Sequence, residues 1–221
     1  MQGIYGFDNS YMLDTAERYP GVFGIVATID HVNRNPKERM DELKERGVQG
    51  FRIVALPGKS QNWLDDNGYE TMFRTAADNN QAICPLTHPE GLPDLDRMCG
   101  KHPETTVVVD HMARIGELGP IEEEKINQLC KLAGHPNVHV KISRLHSLGD
   151  KKPPHQELIP MIKRVIDAFG PDRIMWGSDS PYQVVTESYS DSINLIRDHL
   201  GLSASERQSI LNDTAARLFF A

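Results

Sequence analysis

The sequence predicts an α/β fold in which about six parallel strands alternate with helices. Apolar, strand-like runs recur along the whole chain of 221 residues and are separated by segments with helical periodicity. The run Val107–Val109 is apolar at every position, which is typical of a strand covered by helices on both faces of a parallel sheet. Because no linker rich in proline, glycine or serine interrupts the alternation, we expect a single domain over residues 1–221.

The order of these elements leaves two architectures open. The predicted strands are Val22–Ile29, Val48–Val54, Gln81–Thr87, Thr105–His111, Val138–Ser143 and Arg173–Ser178. Helices are predicted from Phe7, with Asp8 or Asn9 as N-cap, at Pro36–Arg46, Gly68–Asn79, Ile121–Ala133 and Glu157–Phe169, and in a tail that opens with the capping box Ser203–Glu206. An open doubly wound sheet accommodates six strand–helix units, whereas a (β/α)₈ barrel needs two more, so the count alone does not decide.

Composition excludes several classes of partner. The net charge of −7 and the pI near 5.7 argue against binding to nucleic acid or to an anionic membrane. The sequence has no apolar run of membrane-spanning length, and its start lacks the features of a signal peptide. Cys84, Cys99 and Cys130 form no Cys-x-x-Cys pair, which favours reduced thiols, a cytoplasmic protein and no catalytic role for these residues.

Two ionisable residues stand at the carboxyl ends of predicted strands, where ligands bind in parallel α/β proteins. Asp179 follows the strand Arg173–Ser178 and is the first candidate for a catalytic base or a metal ligand; the alternative is a cap of the turn that follows. His111 follows the apolar run Val107–Val109 and is the candidate to polarise a carbonyl or to bind a metal, with a structural histidine as the alternative. Alternation along the strand gives its neighbour Asp110 the opposite orientation, toward a helix.

Three basic residues are candidates for binding an acidic substrate. Arg52 and Lys141 lie inside predicted strands, where each charge needs a partner, either a substrate carboxylate or a structural ion pair. Arg114 lies three residues after His111 and either meets an anionic substrate or is solvated. His88 follows a strand and completes the only candidate metal set, His88, His111 and Asp179, although Pro89 and Gly91 favour an ordinary loop there.

Several motifs, in the same order over nearly the whole chain, resemble the amidohydrolase superfamily. The similarity is to its amidohydrolase-2 branch, which includes 2-pyrone-4,6-dicarboxylate hydrolase, sugar-acid lactonases and decarboxylases. The matching segments are Tyr5–Tyr11, Gly47–Arg52, Val107–His111, Val140–Ser143, Met175–Pro181 and Ile210–Leu218. The resemblance implies a TIM-like (β/α) barrel with the site at the strand carboxyl ends, Asp179 activating water and His111 contacting the substrate carbonyl.

One family feature is missing from the sequence. Family members begin with a strand that carries His-x-His, and this chain has no such motif, so we expect a barrel that lacks its start and retains six strands in sequential order. We therefore expect no metal, or a weakly held divalent metal such as zinc, because too few ligands remain. The leading hypothesis is a hydrolase of a small lactone or carboxylic acid. The alternatives are a metal-dependent hydrolase or decarboxylase, and a catalytically silent barrel that binds a small acid or a protein. A homo-oligomer that covers the exposed strand edges is a further expectation.

Overall fold

The computed structural model describes residues 5–32, 34–55 and 62–220 and contains one parallel sheet of six strands. The strands are β1 Ile25–Ala27, β2 Val48–Val54, β3 Ala82–Leu86, β4 Thr106–Val109, β5 Val138–Ser143 and β6 Ile174–Gly177. Every neighbouring pair is parallel, and the spatial order β1-β2-β3-β4-β5-β6 is the order in the chain. The predicted sequential order is confirmed, and the strand reversal that a doubly wound sheet requires does not occur in this sheet.

Helices connect the strands. Their bounds are α1 Ser10–Arg18, α2 Pro36–Glu45, α3 Asn67–Asn79, α4 Leu92–Lys101, α5 Glu123–Lys131, α6 Ile159–Phe169, α7 Tyr189–Asn194, α8 Ala204–Gln208 and α9 Thr214–Phe219. Two five-residue π-helical turns, Leu195–His199 and Ser209–Asp213, continue α7 and α8. The helix α2 begins where the Asn35 side chain accepts a hydrogen bond from Lys37 N, and it has Pro36 in its first turn, as the sequence pattern predicts.

The two faces of the sheet have different surroundings. One face belongs to the main apolar core and packs against helices. Strand residues in that core include Phe51, Ile83, Val107, Val140 and Ile174, and helix residues include Met40, Met72, Leu95, Leu129 and Ile162. The opposite, inner face carries Gly50 and Arg52 on β2, beside Ala82 and Cys84 on β3, and Lys141 on β5, beside Met175 on β6.

The helix α9 fills the inner face. Phe219, only 7% exposed, packs there in one cluster with Ala82, Cys84, Val108 and Met175. Its ring centre lies 5.5 Å from Lys141 Nζ, a favourable cation–π geometry. A Cβ atom on Gly24 would lie 2.7 Å from the Phe219 carbonyl oxygen, so the approach of α9 to the start of β1 requires glycine at this position. The chain therefore packs its own terminal helix inside the curve of the sheet.

No helix among the described residues is long and apolar enough to cross a membrane.

Candidate active site

Three polar side chains meet where β4, β5 and β6 end. His111 follows β4, Arg144 follows β5 and Asp179 follows β6. Arg144 Nη1 donates to Asp179 Oδ2 over 2.8 Å, and His111 Nε2 lies 3.8 Å from Asp179 Oδ1. The second distance is too long for a hydrogen bond. His111 Nε2 and Asp179 Oδ1 can therefore each form a hydrogen bond with a molecule that lies between them. The two residues predicted to be catalytic therefore lie on the same end of the sheet and face each other.

His111, Arg144 and Asp179 all adopt left-handed backbone conformations. The φ angles of His111, Met112, Ala113 and Arg114 are +57°, +49°, +52° and +55°, so the chain makes a left-handed turn directly after β4. Arg144 and Asp179 have φ angles of +62° and +64°. None of these residues is glycine, and the left-handed region is costly for residues with a Cβ atom. Such strain clusters at functional sites, where the surrounding structure holds it in place.

The left-handed turn decides how His111 is oriented. Continuation of the strand would have turned its side chain away from the inner face, whereas in the turn His111 Nδ1 lies 2.7 Å from Ser143 Oγ at the end of β5. The ring is 8% exposed, and this burial lowers its pKa from 6.5 to about 4. The imidazole is therefore neutral at neutral pH.

Asp110 lies on the inner face, so its predicted orientation toward a helix is wrong. Its carboxylate is 1% exposed and contacts Arg52 Nη2 at 2.9 Å and Lys141 Nζ at 3.0 Å. Burial alone would raise the pKa of Asp110, but the adjacent Lys141 and Arg52 charges lower it below its usual value. Arg52 and Lys141 thus have a structural ion-pair partner and remain about one-fifth exposed, while Arg52 Nε is buried without a hydrogen-bond partner.

A second carboxylate, Glu117, was missed at the sequence level. Its Oε1 accepts hydrogen bonds from Arg144 Nε at 3.1 Å and Nη2 at 3.0 Å. Its Oε2 lies 3.1 Å from His88 Nε2 and 3.5 Å from Arg114 Nε. Two of the predicted residues, His88 and Arg114, thus join the site through Glu117. Arg144 was missed as well, although it follows a predicted strand directly, as His111 and Asp179 do.

The predicted metal ligands are not arranged as a metal site. His88 faces Glu117, whereas His111 and Asp179 face each other. Another histidine, His146, lies with Nε2 3.9 Å from Asp179 Oδ2, beyond hydrogen-bond distance. Within residues 5–32, 34–55 and 62–220, no three histidine, cysteine, aspartate or glutamate side chains are placed to hold a metal ion. The described donors therefore do not fit a three-ligand catalytic centre.

Comparison with known proteins identifies the family. The sequence profile of the amidohydrolase family (Amidohydro_2) matches residues 1–221, the whole chain. The chain belongs to this family. The family prediction made from the motifs is therefore confirmed, and the sequential parallel sheet is the arrangement expected of part of a TIM barrel.

Several relatives of known activity hydrolyse lactones. The chain is 28% identical over 185 residues to the L-fucono-1,5-lactonase of Burkholderia ambifaria, an alignment that covers 83% of this chain and 64% of that protein. It is 27% identical over 223 residues to the 4-sulfomuconolactone hydrolase of Rhizobium radiobacter, covering 98% of this chain and 72% of that protein. The matched part thus spans less than two thirds of the first relative and somewhat more of the second.

A solved structure supports the fold assignment. An amidohydrolase from Burkholderia multivorans with bound zinc superimposes with a TM-score of 0.83 and 25% identity, over 95% of this chain and 78% of that one. The predicted TIM-like barrel fold with six strands is confirmed by this similarity together with the observed strand order. The bound zinc is a property of that protein.

Proposed function

We propose that this protein is a hydrolase that opens a small lactone bearing a carboxylate, with Asp179 as general base and His111 as hydrogen-bond donor to the carbonyl oxygen. The observation that carries the proposal is the 3.8 Å approach of His111 Nε2 to Asp179 Oδ1, beside a hydrogen bond from Arg144 to the other carboxylate oxygen. Family membership and the lactone-hydrolysing relatives support the same reaction class.

Asp179 supplies the base in this reaction. A water molecule held by Oδ1 gives up a proton to the carboxylate while its oxygen attacks the lactone carbonyl carbon. The hydrogen bond from Arg144 Nη1 fixes Oδ2, so Oδ1 is the oxygen that remains available to water. When the ring opens, the proton returns from Asp179 to the departing alkoxide, and the products are a hydroxyl group and a carboxylic acid, which releases its proton to the solvent at neutral pH. Atoms and charge balance without any redox step.

His111 stabilises the oxygen charge that develops. We assign the proton of its ring to Nε2, because the Ser143 hydroxyl can then donate to Nδ1 across 2.7 Å. The Nε2–H group points into the space shared with Asp179 and can donate to the carbonyl oxygen of the lactone. Such a donor, fixed in advance beside the reacting carbonyl, stabilises the tetrahedral intermediate. The pKa of about 4 that burial gives His111 keeps the ring neutral, as this role requires.

The charges around the site favour an anionic substrate. The described residues supply four cationic side chains, Arg52, Arg114, Lys141 and Arg144, against three carboxylates, Asp110, Glu117 and Asp179. With the histidines counted as neutral, one positive charge is left over. A planar guanidinium binds a carboxylate through paired hydrogen bonds, and we propose that Arg52, Arg114 and Lys141 contact the acidic group of the substrate.

A metal-dependent hydrolase is the second candidate, favoured by the zinc in the related amidohydrolase. In this chain a divalent ion would have to be weakly held, because the described side chains do not form a three-ligand set. No step of the proposed reaction needs one. A cytoplasmic location also belongs to the proposal, supported by Cys84, Cys99 and Cys130, none of which is in a disulfide.

The test is hydrolysis of paired lactones that have the same ring and differ only in a carboxylate substituent. We expect acid release from the carboxylated member, release slower by at least about 10²-fold with the Asp179→Asn variant, and an unchanged rate after incubation with a chelator. Loss of activity on chelation that added zinc restores would favour the metal-dependent reaction. A folded protein that binds the carboxylated lactones in thermal-shift assays and hydrolyses none would be a silent binding protein, and the proposal would be wrong.

A further inference from the structure

One carboxylate joins the loops that follow three strands. Glu117, whose side chain is 13% exposed, contacts His88 after β3, Arg114 in the turn after β4 and Arg144 after β5. Arg144 Nε and Nη2 both donate to Glu117 Oε1, and two hydrogen bonds to one atom restrict the orientation of the guanidinium plane. Its remaining nitrogen, Nη1, is the one that donates to Asp179. Glu117 therefore orients Arg144 toward Asp179 by binding the opposite side of its guanidinium group.

The neighbours of Glu117 favour its charged form. Burial alone would raise the pKa of this carboxyl group, but the Arg114 and Arg144 guanidinium groups lower it below its usual value. Arg144 contacts Oε1 and Arg114 contacts Oε2, so both carboxylate oxygens already have partners and are poorly available to a substrate. It lies next to the reacting groups without facing the space between His111 and Asp179.

The loop that carries Glu117 is held by its backbone as well. Gly149 N donates to Gly116 O over 3.1 Å, and Lys151 Nζ donates to the Glu117 carbonyl oxygen over 3.1 Å. These bonds do not involve the Glu117 side chain. Removal of the charge is therefore expected to leave the loop in place and to release the two guanidinium groups.

We propose that Glu117 is a positioning residue that holds Arg114 for recognition of the substrate carboxylate and Arg144 for orientation of Asp179. The inference rests on the proposed lactone hydrolysis and adds the residue responsible for selecting anionic over neutral lactones. In Glu117→Gln the side chain keeps its shape but has one acceptor oxygen and one donor nitrogen. The amide oxygen can accept a hydrogen bond either from Arg144 or from Arg114 and His88, but not from both groups at once.

The first measurement is the ratio of kcat/KM for a carboxylated lactone to that for the neutral lactone of the same ring. Misplacement of a substrate-orienting group by about 1 Å costs about 10²-fold. We expect Glu117→Gln to lower kcat/KM by at least about that factor on the carboxylated substrate, through Arg114 and Arg144, and by a clearly smaller factor on the neutral one, through Arg144 and Asp179 alone. Glu117→Asp keeps the charge and is expected to recover part of the ratio. The control is Glu122→Gln, which removes an exposed carboxylate bonded to Lys125. An equal loss on both substrates would mean that Glu117 does not act on recognition of the substrate carboxylate, and the inference would be wrong.

The second measurement does not depend on catalysis. Hydrogen exchange of arginine Nε–H groups, followed by NMR, reports whether Arg144 is held; its signal is assigned by its absence in Arg144→Lys. We expect slow exchange in the parent protein and at least about tenfold faster exchange in Glu117→Gln. Arg173 Nε, which donates to Phe169 O over 2.8 Å, is the internal control and should not change. If no lactone is hydrolysed, the proposed reaction fails but this measurement still decides whether Glu117 holds Arg144; unchanged exchange would overturn the inference.

Discussion

At the scale of single residues, the site is built from backbone conformations that residues with a Cβ atom seldom adopt. His111, Arg114, Arg144 and Asp179 all have positive φ angles. Each such residue costs about 1–2 kcal/mol, and the left-handed region is usually visited by single residues rather than by a turn of four. The cost is offset by burial, since Met112 and Ala113 inside the turn are fully buried. The turn brings His111 and Arg114 toward the groups that follow β5 and β6.

The first prediction concerns the two residues that would act on water and on the carbonyl. Asp179→Asn and His111→Asn are each expected to lower kcat by roughly 10²–10⁴-fold, through loss of the base and of the hydrogen-bond donor. The double variant should be little worse than either single variant, because the two groups serve one step. Asparagine tolerates positive φ, so neither change adds backbone strain.

Steady-state kinetics on a carboxylated lactone measures these effects, with circular dichroism to confirm folding. Asp167→Asn, an exposed position on the outer helix α6, is the matched control. If Asp179→Asn matched the parent rate while folded, Asp179 would be only a turn cap.

The second prediction is a dependence of stability on pH. Burial lowers the pKa of His111 to about 4, whereas an unfolded histidine takes up a proton near pH 6.5. Between these values the unfolded chain binds more protons, so the free energy of unfolding is highest above about pH 6.5 and falls as the pH is lowered. From pH 6.5 to 5 the loss due to His111 is about 2 kcal/mol. His139, whose pKa burial also lowers to about 4, adds a similar loss.

Urea denaturation at pH values between about 5 and 7 measures this slope, above the range in which the carboxylates titrate. We expect His111→Asn and His139→Asn each to reduce the slope, and the double variant to reduce it further than either single variant. A parent protein with the same free energy of unfolding at both ends of the range would show that these histidines titrate normally in the native state.

At the scale of elements, the sequence predicted best where hydrophobic pattern alone determines structure. The strands β2 and β5 have the predicted bounds, and α2 ends within one residue of its prediction. The helix α4, Leu92–Lys101, was not predicted. It carries a proline in its first turn and a glycine near its end, two residues that usually mark loops. The terminal helix was predicted, but not its place inside the sheet, which depends on contacts between residues far apart in the chain.

The site was only partly predictable for the same reason. The rule that ligands bind at the ends of parallel strands was sufficient to select His111 and Asp179, and the same rule applied to β5 would have selected Arg144. The orientation predicted for Asp110 was wrong because it was counted from His111. The strand ends at Val109, Asp110 stays on the same face as Val108, and the left-handed turn that begins at His111 reorients the histidine instead. No sequence pattern marks a left-handed turn built from histidine, methionine, alanine and arginine. Glu117 lies in a loop, and the position of its side chain depends on contacts with residues of other loops, which no local sequence pattern reveals.

The third prediction tests whether α9 replaces part of the barrel interior. Phe219→Ala removes a side chain that is 7% exposed and packs against the inner face of β3, β4 and β6. Such a truncation costs about 3–5 kcal/mol when the cavity does not collapse. The neighbouring Phe220 is 52% exposed, so Phe220→Ala is a matched control and should change stability by less than about 0.5 kcal/mol.

Urea denaturation of the two variants measures the difference in unfolding free energy. Loss of the Phe219 ring also removes its contact with Lys141, so the activity of a variant that remains folded reports whether the inner face supports the site. Equal stability of the two variants would mean that α9 does not form part of the core in solution.

At the scale of the whole molecule, the sheet differs from a closed barrel in having two edges. Among the described residues, β1 and β6 each have a neighbouring strand on one side only. A closed barrel has no edges, and an edge strand presents backbone groups that pair readily with another chain unless they are covered. Three apolar residues that follow β6 are also exposed: Val184 at 55%, Val185 at 81% and Tyr189 at 51%. Together these features favour association with a second copy of the chain.

The last prediction is therefore a concentration-dependent molar mass. Light scattering after size exclusion, or sedimentation, should give a mass that rises from the monomer value of 24.8 kDa toward twice that value as the protein is concentrated. Val185→Asp places a charge in the apolar patch beside β6 and should shift the equilibrium toward the monomer. The control is Leu118→Asp, which replaces an apolar residue of similar exposure, 77%, in the loop after the central strand β4. A charge there should leave the mass unchanged, because Leu118 follows β4, a strand that has neighbours on both sides. A monomeric mass at every concentration, or an equal effect of the two substitutions, would show that these edges are not where copies of the chain meet.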